Sequence, residues 1–139
     1  MPTRTARAEW RGDLLKGDGS MKLNAWEGPY SFASRFEDGQ GTNPEELIAA
    51  AHAGCFSMAF SAVLGGAGIT PKSIRTTAKV TVEKIGDGFT ITKSHLITEG
   101  DVPGIDEETF LKHANDAKAG CPVSRALAGV EITMEARLV

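Results

Sequence analysis

The chain has 139 residues, a formal net charge of −3, only two cysteines, and Lys and Arg spread along its length. That length carries one domain with a proper core, and the charge balance leaves no electrostatic footprint for nucleic acid or an anionic membrane. Two cysteines are too few for a disulfide-stapled secreted domain; in a reducing compartment such a pair is free, catalytic or metal-bound.

Residues 1–7 lead straight into strand-like alternation and lack the apolar core of a signal peptide. No apolar run reads as long and charge-free enough to span a bilayer. The expectation is therefore a soluble, cytoplasmic protein with no membrane or nucleic-acid partner. Ala6, Ala8 and Trp10 alternate with Arg7, Glu9 and Arg11 over residues 4–11, which predicts a strand with one buried face. Residues 12–19 form a turn region. Residues 20–27 alternate again, with Met21, Leu23 and Ala25 on one side. A third strand is predicted over 30–36, ending near Arg35, and the three make an antiparallel meander. Residues 37–41 form a polar loop.

The longest pattern follows. Asn43 is a good N-cap, Pro44 suits the first helical position, and Glu46 can close a capping box. Apolar residues then fall at 47, 48, 51, 55, 58, 59, 62 and 63, a stripe at helical spacing that contains Cys55. Gly65, Gly66 and Gly68 end the helix, with Pro71 beyond. The other face holds Ala, Gly, Ser, Phe56 and Phe60, and almost no charge after Glu46. A helix apolar nearly all round is covered on all sides by sheet, helix or a second subunit.

Residues 73–85 alternate as a long strand, and Gly86-Asp87-Gly88 is a hairpin turn into a returning strand over 89–98. Asp106 caps a second helix, with Glu107 and Glu108 in its first turn and Gly120 at its end. Cys121-Pro122 opens a short third helix to about residue 128, and residues 131–139 form a last strand. Strands, helix, strands, helices and strand make an α+β domain with a mostly antiparallel sheet.

Thiol chemistry is the chemistry these residues offer. Buried Cys55 can equally be a small hydrophobe, and Cys121 can merely start a helix. A thiol at a helix N-terminus, however, sits where partial positive charge favours the thiolate. An ordinary thiol is mostly protonated at neutral pH, and a nearby guanidinium corrects that. Arg35 is the candidate guanidinium, and Glu45 at the helix start can orient it through a bidentate pair. Unpaired, Arg35 is a solvated arginine and Glu45 a helix-start carboxylate favoured by the dipole. His52 lies one turn before Cys55, as a metal ligand or a Cys-His base would. A structural zinc site needs four ligands, and His52, Cys55 and Cys121 leave it one short. A lone helix histidine is more often packed or exposed, and His95 and His113 have no ligand context.

The run Thr42-Asn43-Pro44-Glu45-Glu46-Leu47 through Cys55-Phe56-Ser57-Met58-Ala59, followed by Cys121-Pro122-Val123-Ser124-Arg125-Ala126-Leu127, resembles the OsmC/Ohr family of osmotically inducible and organic hydroperoxide resistance proteins. The resemblance covers essentially the whole chain, residues 1–139, as a single domain, and leans to the OsmC branch. It implies an α+β fold with sheets wrapped around central helices in an intertwined homodimer whose active sites lie at the subunit interface. It implies a cysteine-based peroxidase in stress defence, with Cys55 peroxidatic, Cys121 resolving, and Arg35 and Glu45 assisting. Organic hydroperoxides are then the substrates and an external dithiol, of the lipoyl kind, the reductant. No metal or other cofactor is required. Two other readings stand beside it: a Cys55–His52 hydrolase or acyltransferase, and an apolar-ligand binding protein with inert cysteines.

Glu45 and Cys55 are ten residues apart on the predicted helix, so about 15 Å and roughly 80° of rotation separate them. An antiparallel pairing of long helices in a two-fold dimer brings each helix start near the other chain's thiol, which predicts Glu45 acting in trans.

Overall fold

Alternation at the N-terminus yields three short strands: β1 (Arg7–Arg11), β2 (Asp18–Lys22) and β3 (Glu27–Tyr30). They pair antiparallel in the order β1-β2-β3, which is the expected meander. At one register position Gly19 stands between Trp10 and Tyr30. A Cβ there would fall 2.6 Å from the Tyr30 ring and 2.7 Å from the Trp10 ring, so only glycine lets the two rings meet at 5.4 Å. The computed structural model describes all of residues 1–139 and divides into two units, Met1–Leu47 and Ile48–Val139.

The third strand differs from expectation. It lies ahead of the expected 30–36, at Glu27–Tyr30, because the chain turns at residues 23–26, inside what reads as the second strand, and Phe32–Phe36 is a short helix, α1. The cause is local. Ser31 Oγ accepts from the Ser34 amide at 3.1 Å, and Ser34 Oγ accepts from the Ser31 amide at 2.8 Å. This reciprocal capping box satisfies donors that an isolated strand would leave to water, and it outweighs a weak alternation. Arg35 is therefore a helical residue rather than a strand end.

The long helix, α2, runs unbroken over Pro44–Gly66. Asn43 caps it as expected, with Oδ1 accepting from the Glu46 amide at 2.7 Å. Glu46 does not close the box on Asn43; its carboxylate accepts from the Thr42 hydroxyl at 2.8 Å. The buried face of α2 is also not the predicted one. His52, Phe56, Phe60 and Leu64 are fully buried, Cys55, Ala59 and Val63 are half-buried, and Met58 is 77% exposed. Both faces are apolar, so periodicity could not choose between them, and the bulk of the phenylalanines decided it. By length and composition α2 is long and apolar enough to cross a membrane, contrary to the sequence reading, because its Ala and Gly content counts as apolar while its charges sit only in the first turn. Its Phe56, Phe60 and Leu64 face is the core of the second unit.

The other elements of that unit are β4 (Ser73–Ile85), β5 (Gly88–Asp101), α3 (Glu107–Gly120), α4 (Pro122–Ala126) and β6 (Glu131–Leu138). The β4–β5 hairpin turns at Gly86 and Asp87, with Gly86 at φ 62. β6 returns parallel to β5, not antiparallel, because α3 and α4 supply the crossover that a parallel pair needs. Phe60 packs on Phe56 at 5.7 Å and on Phe110 of α3 at 5.1 Å. Each such buried ring contributes about 1.5–3 kcal/mol. That core extends to Ala117 and Cys121, which fixes where α3 ends and α4 begins.

Candidate active site

The two predicted thiols meet. Cys55 comes from the middle of α2, and Cys121 is the single residue between α3 and α4, held as the C-cap of one and the N-cap of the other. Its amide donates to Ala117 O at 2.9 Å, and its carbonyl accepts from the Arg125 amide at 3.0 Å. Cys121 Sγ lies 3.0 Å from Cys55 Sγ. Both are free thiols, Cys121 fully buried and Cys55 half-buried.

Their environments differ. Burial, followed by the contact with Cys121, pushes the Cys55 thiol up, and only the Val123 amide pulls the other way. Burial also pushes the Cys121 thiol up. There Cys55, the amide and hydroxyl of Ser124 and the Val123 amide together outweigh it, and Cys121 ends below the ordinary thiol value. The groups that favour an anion thus converge on Cys121.

Arg35 and Glu45 also meet, within the first unit. Arg35 Nε donates to Glu45 Oε1 at 2.7 Å. The hydroxyl of Ser34 donates to Thr42 O at 2.7 Å, and Asn43 Nδ2 donates to Ser34 O at 3.0 Å, so α1 is tied to the start of α2. The Arg35 guanidinium also lies 5.1 Å over the Phe36 ring. The expected bidentate fork is half made: Glu45 is buried, and its Oε2 has no hydrogen-bond partner. Beside Arg35 is a cavity of about 210 Å³ lined by Trp10, Leu14, Tyr30, Phe32 and Phe36. Its walls are mostly aromatic and aliphatic, with Ser31 and the Arg35 guanidinium as polar groups.

Residues 37–135 match the family model described as OsmC-like protein, a span that contains Glu45, Cys55 and Cys121. The chain belongs to the OsmC-like family. Over 138 residues it is 51% identical to the Peroxiredoxin OsmC of Escherichia coli (strain K12), with 97% of this chain and 96% of that protein covered. It is 34% identical over 98 residues to an Organic hydroperoxide resistance protein of Xanthomonas axonopodis pv. citri (strain 306), covering 69% of this chain and 67% of the relative. Among solved structures, OhrB of Bacillus subtilis superposes with a TM-score of 0.74 at 26% identity, covering 95% of this chain and 97% of that one. The expected OsmC-like α+β fold is therefore borne out.

One part of this OsmC-like chain escaped the sequence reading. His52 is fully buried, with Nδ1 2.7 Å from Ser94 Oγ and Nε2 2.8 Å from Ser124 Oγ. Burial holds its pKa below the ordinary histidine value, so the ring is neutral at physiological pH. Ser94 lies in β5 and Ser124 in α4, 42 and 72 positions away in sequence. No local pattern announces partners at such separations.

Proposed function

We propose that this OsmC-like chain is a thiol-dependent peroxidase that reduces organic hydroperoxides to alcohols in stress defence. The observation that carries the reading is the pair of free thiols 3.0 Å apart, Cys55 on α2 and Cys121 at the start of α4. A Cys55 thiolate attacks the terminal peroxide oxygen. The O–O bond breaks, the alkoxide leaves as alcohol after taking a proton, and Cys55 becomes a sulfenic acid. Cys121 then attacks the Cys55 sulfur. The S–O bond breaks, water leaves, and a Cys55–Cys121 disulfide forms. An external dithiol of the lipoyl kind returns both thiols by exchange and is itself oxidised to a disulfide. The two electrons come from that dithiol, so the cycle requires no prosthetic group.

Cys55 needs a cation to ionise, since burial pushes its thiol up. In this reading Arg35, steadied by Glu45, provides it across the interface of a homodimer. The exposed side of α2 supports such an interface. Ala51, Gly54, Met58, Ser61 and Gly65 recur there at helical spacing without a charge, and small residues let a second helix approach closely. Residues 1–139 act as one domain completed by a second copy, in the cytoplasm, where thiols stay reduced. The aromatic cavity beside Arg35 suits a hydrocarbon tail better than hydrogen peroxide. A Cys55–His52 hydrolase loses support because both ring nitrogens are engaged by serines.

The test is a peroxidase assay comparing an alkyl hydroperoxide with hydrogen peroxide, run with several dithiols, together with mass spectrometry of the protein. The reading expects preferred turnover of the alkyl substrate and, after one equivalent without reductant, loss of two thiols and two hydrogens per chain. An acyl adduct from an activated ester, or no change with peroxide, overturns it.

A further inference from the structure

The peroxidase cycle uses Cys55, Cys121, Arg35 and Glu45 and leaves a buried polar chain unused. It runs from Ser94 through His52 to Ser124, which stands in the first turn of the helix that Cys121 caps and is among the groups that favour the Cys121 thiolate. Burying three polar side chains is costly unless each finds partners, and here each does. The chain ends one helical turn from the residue that carries a reacting sulfur. We propose that His52 is a positioning residue for the resolving step, acting through the Ser124 hydroxyl to hold the Cys121 sulfur as the thiolate that attacks the Cys55 sulfenic acid. This rests on the peroxidase reading above.

With a neutral imidazole, one of the two tautomers both satisfies every member and leaves the sulfur as an acceptor. The Ser94 hydroxyl donates to His52 Nδ1, His52 Nε2–H donates to Ser124 Oγ, and the Ser124 hydroxyl donates to the Cys121 sulfur. With the Ser124 oxygen accepting from the imidazole, its own hydrogen is left to reach the sulfur, which favours a sulfur that accepts over one that donates. A hydroxyl alone rotates between these options. An imidazole that donates to its oxygen fixes the rotor, and Ser94 fixes the imidazole. Every other group that acts on Cys121 comes from a neighbouring element: Cys55 from α2, and the Val123 and Ser124 amides from α4. No carboxylate or other base acts on Cys121 or on His52, so the serine–histidine chain has no titratable rival at this end of the site.

In the step itself the Cys121 thiolate forms a bond to the Cys55 sulfur and the S–OH bond breaks. The hydroxide leaves as water after taking the proton that Cys121 released. Electrons and atoms balance without an added reagent: one thiol and one sulfenic acid become one disulfide and one water.

The test separates the two chemical steps by quenched-flow mass spectrometry with an alkyl hydroperoxide. The sulfenic acid appears as one added oxygen, the disulfide as the loss of two hydrogens. In Ser124→Ala and His52→Leu the second step is expected to slow about tenfold or more relative to the first, and the deficit should shrink as pH rises and Cys121 ionises unaided. His52→Gln, which can offer an amide donor near the Nε2 position, should recover much of the rate. Alkylation kinetics in a Cys55→Ser background, with and without Ser124→Ala, titrate Cys121 without peroxide. The proposal expects its pKa to rise. If His52→Leu does not fold, Ser124→Ala and His52→Gln decide. Equal slowing of both steps, a deficit independent of pH, or an unchanged Cys121 titration overturns the proposal. If the wild-type chain never gains an oxygen on Cys55, it is instead the peroxidase reading that fails.

Discussion

The sulfurs of Cys55 and Cys121 stand 3.0 Å apart although the residues are 66 positions apart in sequence. A disulfide needs about 2.05 Å, so roughly 1 Å of approach separates the reduced pair from the oxidised one. The fold has already met the entropic cost of closing that loop, and resolution is a local step.

The two thiols should therefore fail differently when removed. Cys55→Ser is expected to abolish peroxide consumption. Cys121→Ser should allow one attack and then stall, with a sulfenic acid trapped on Cys55 and detectable by dimedone labelling and mass spectrometry. A sulfenic acid on Cys121 in the Cys55→Ser chain means that the roles are reversed, with the anion-favouring groups around Cys121 as the cause.

Arg35→Ala is expected to raise the Cys55 pKa and to slow peroxide attack at neutral pH by about tenfold or more, the scale of one pKa unit of thiolate fraction. Arg35→Lys should recover only part, because an ammonium lacks the planar donors that meet Glu45. Thiolate absorbance followed against pH in a Cys121→Ser background measures this. A Cys55 titration unmoved by Arg35→Ala removes Arg35 from the site.

His52 also makes stability depend on pH. Its folded pKa lies below the ordinary value near 6.5, while the unfolded chain titrates near that value. Below about pH 6.5 the unfolded state binds the proton and the folded state does not, so stability falls as pH drops from there toward the folded pKa. Above that window the contribution is complete. Urea midpoints for the wild type and His52→Gln should diverge least in acid, since the substitution removes the acid-sensitive part. Parallel curves between pH 7.5 and the acid limit contradict a neutral buried imidazole.

How much of this was legible in the sequence depends on the range of the interactions. Asn43, Asp106 and the Gly86-Asp87 turn act over a few residues, and each does what its local chemistry dictates. Cys55, Cys121, Arg35 and Glu45 are legible as chemistry-bearing residues, and only the resemblance to a family assigns them roles. The Ser31–Ser34 box was local too, yet it was masked by a weak alternation that mimicked a strand. The buried face of α2 was illegible in principle, since apolar residues surround the helix and only its partners select His52, Phe56, Phe60 and Leu64. The Ser94–His52–Ser124 chain needs β5 and α4 in place before any of its bonds exists.

Glu45 gives the sharpest expectation. α2 is one unbroken helix, so the ten residues from Glu45 to Cys55 correspond to about 15 Å of axial rise. Through one arginine a carboxylate cannot serve a thiol that far along its own helix. Two α2 helices packed antiparallel across a two-fold axis remove the difficulty, because each helix start then approaches the other chain's Cys55. Glu45 is therefore expected to work in trans. Co-expression of Cys55→Ser chains with Glu45→Ala chains tests this. Each homodimer should be inactive or badly impaired, since one lacks the nucleophile and the other leaves Arg35 unsteadied. The mixed dimer should contain one site with an intact Cys55 and the opposite chain's intact Glu45, and up to half of wild-type activity per dimer should return. Differently tagged chains and tandem purification isolate that species. If purified mixed dimers are no more active than the parents, Glu45 acts within its own chain and the helix must open between residues 45 and 55.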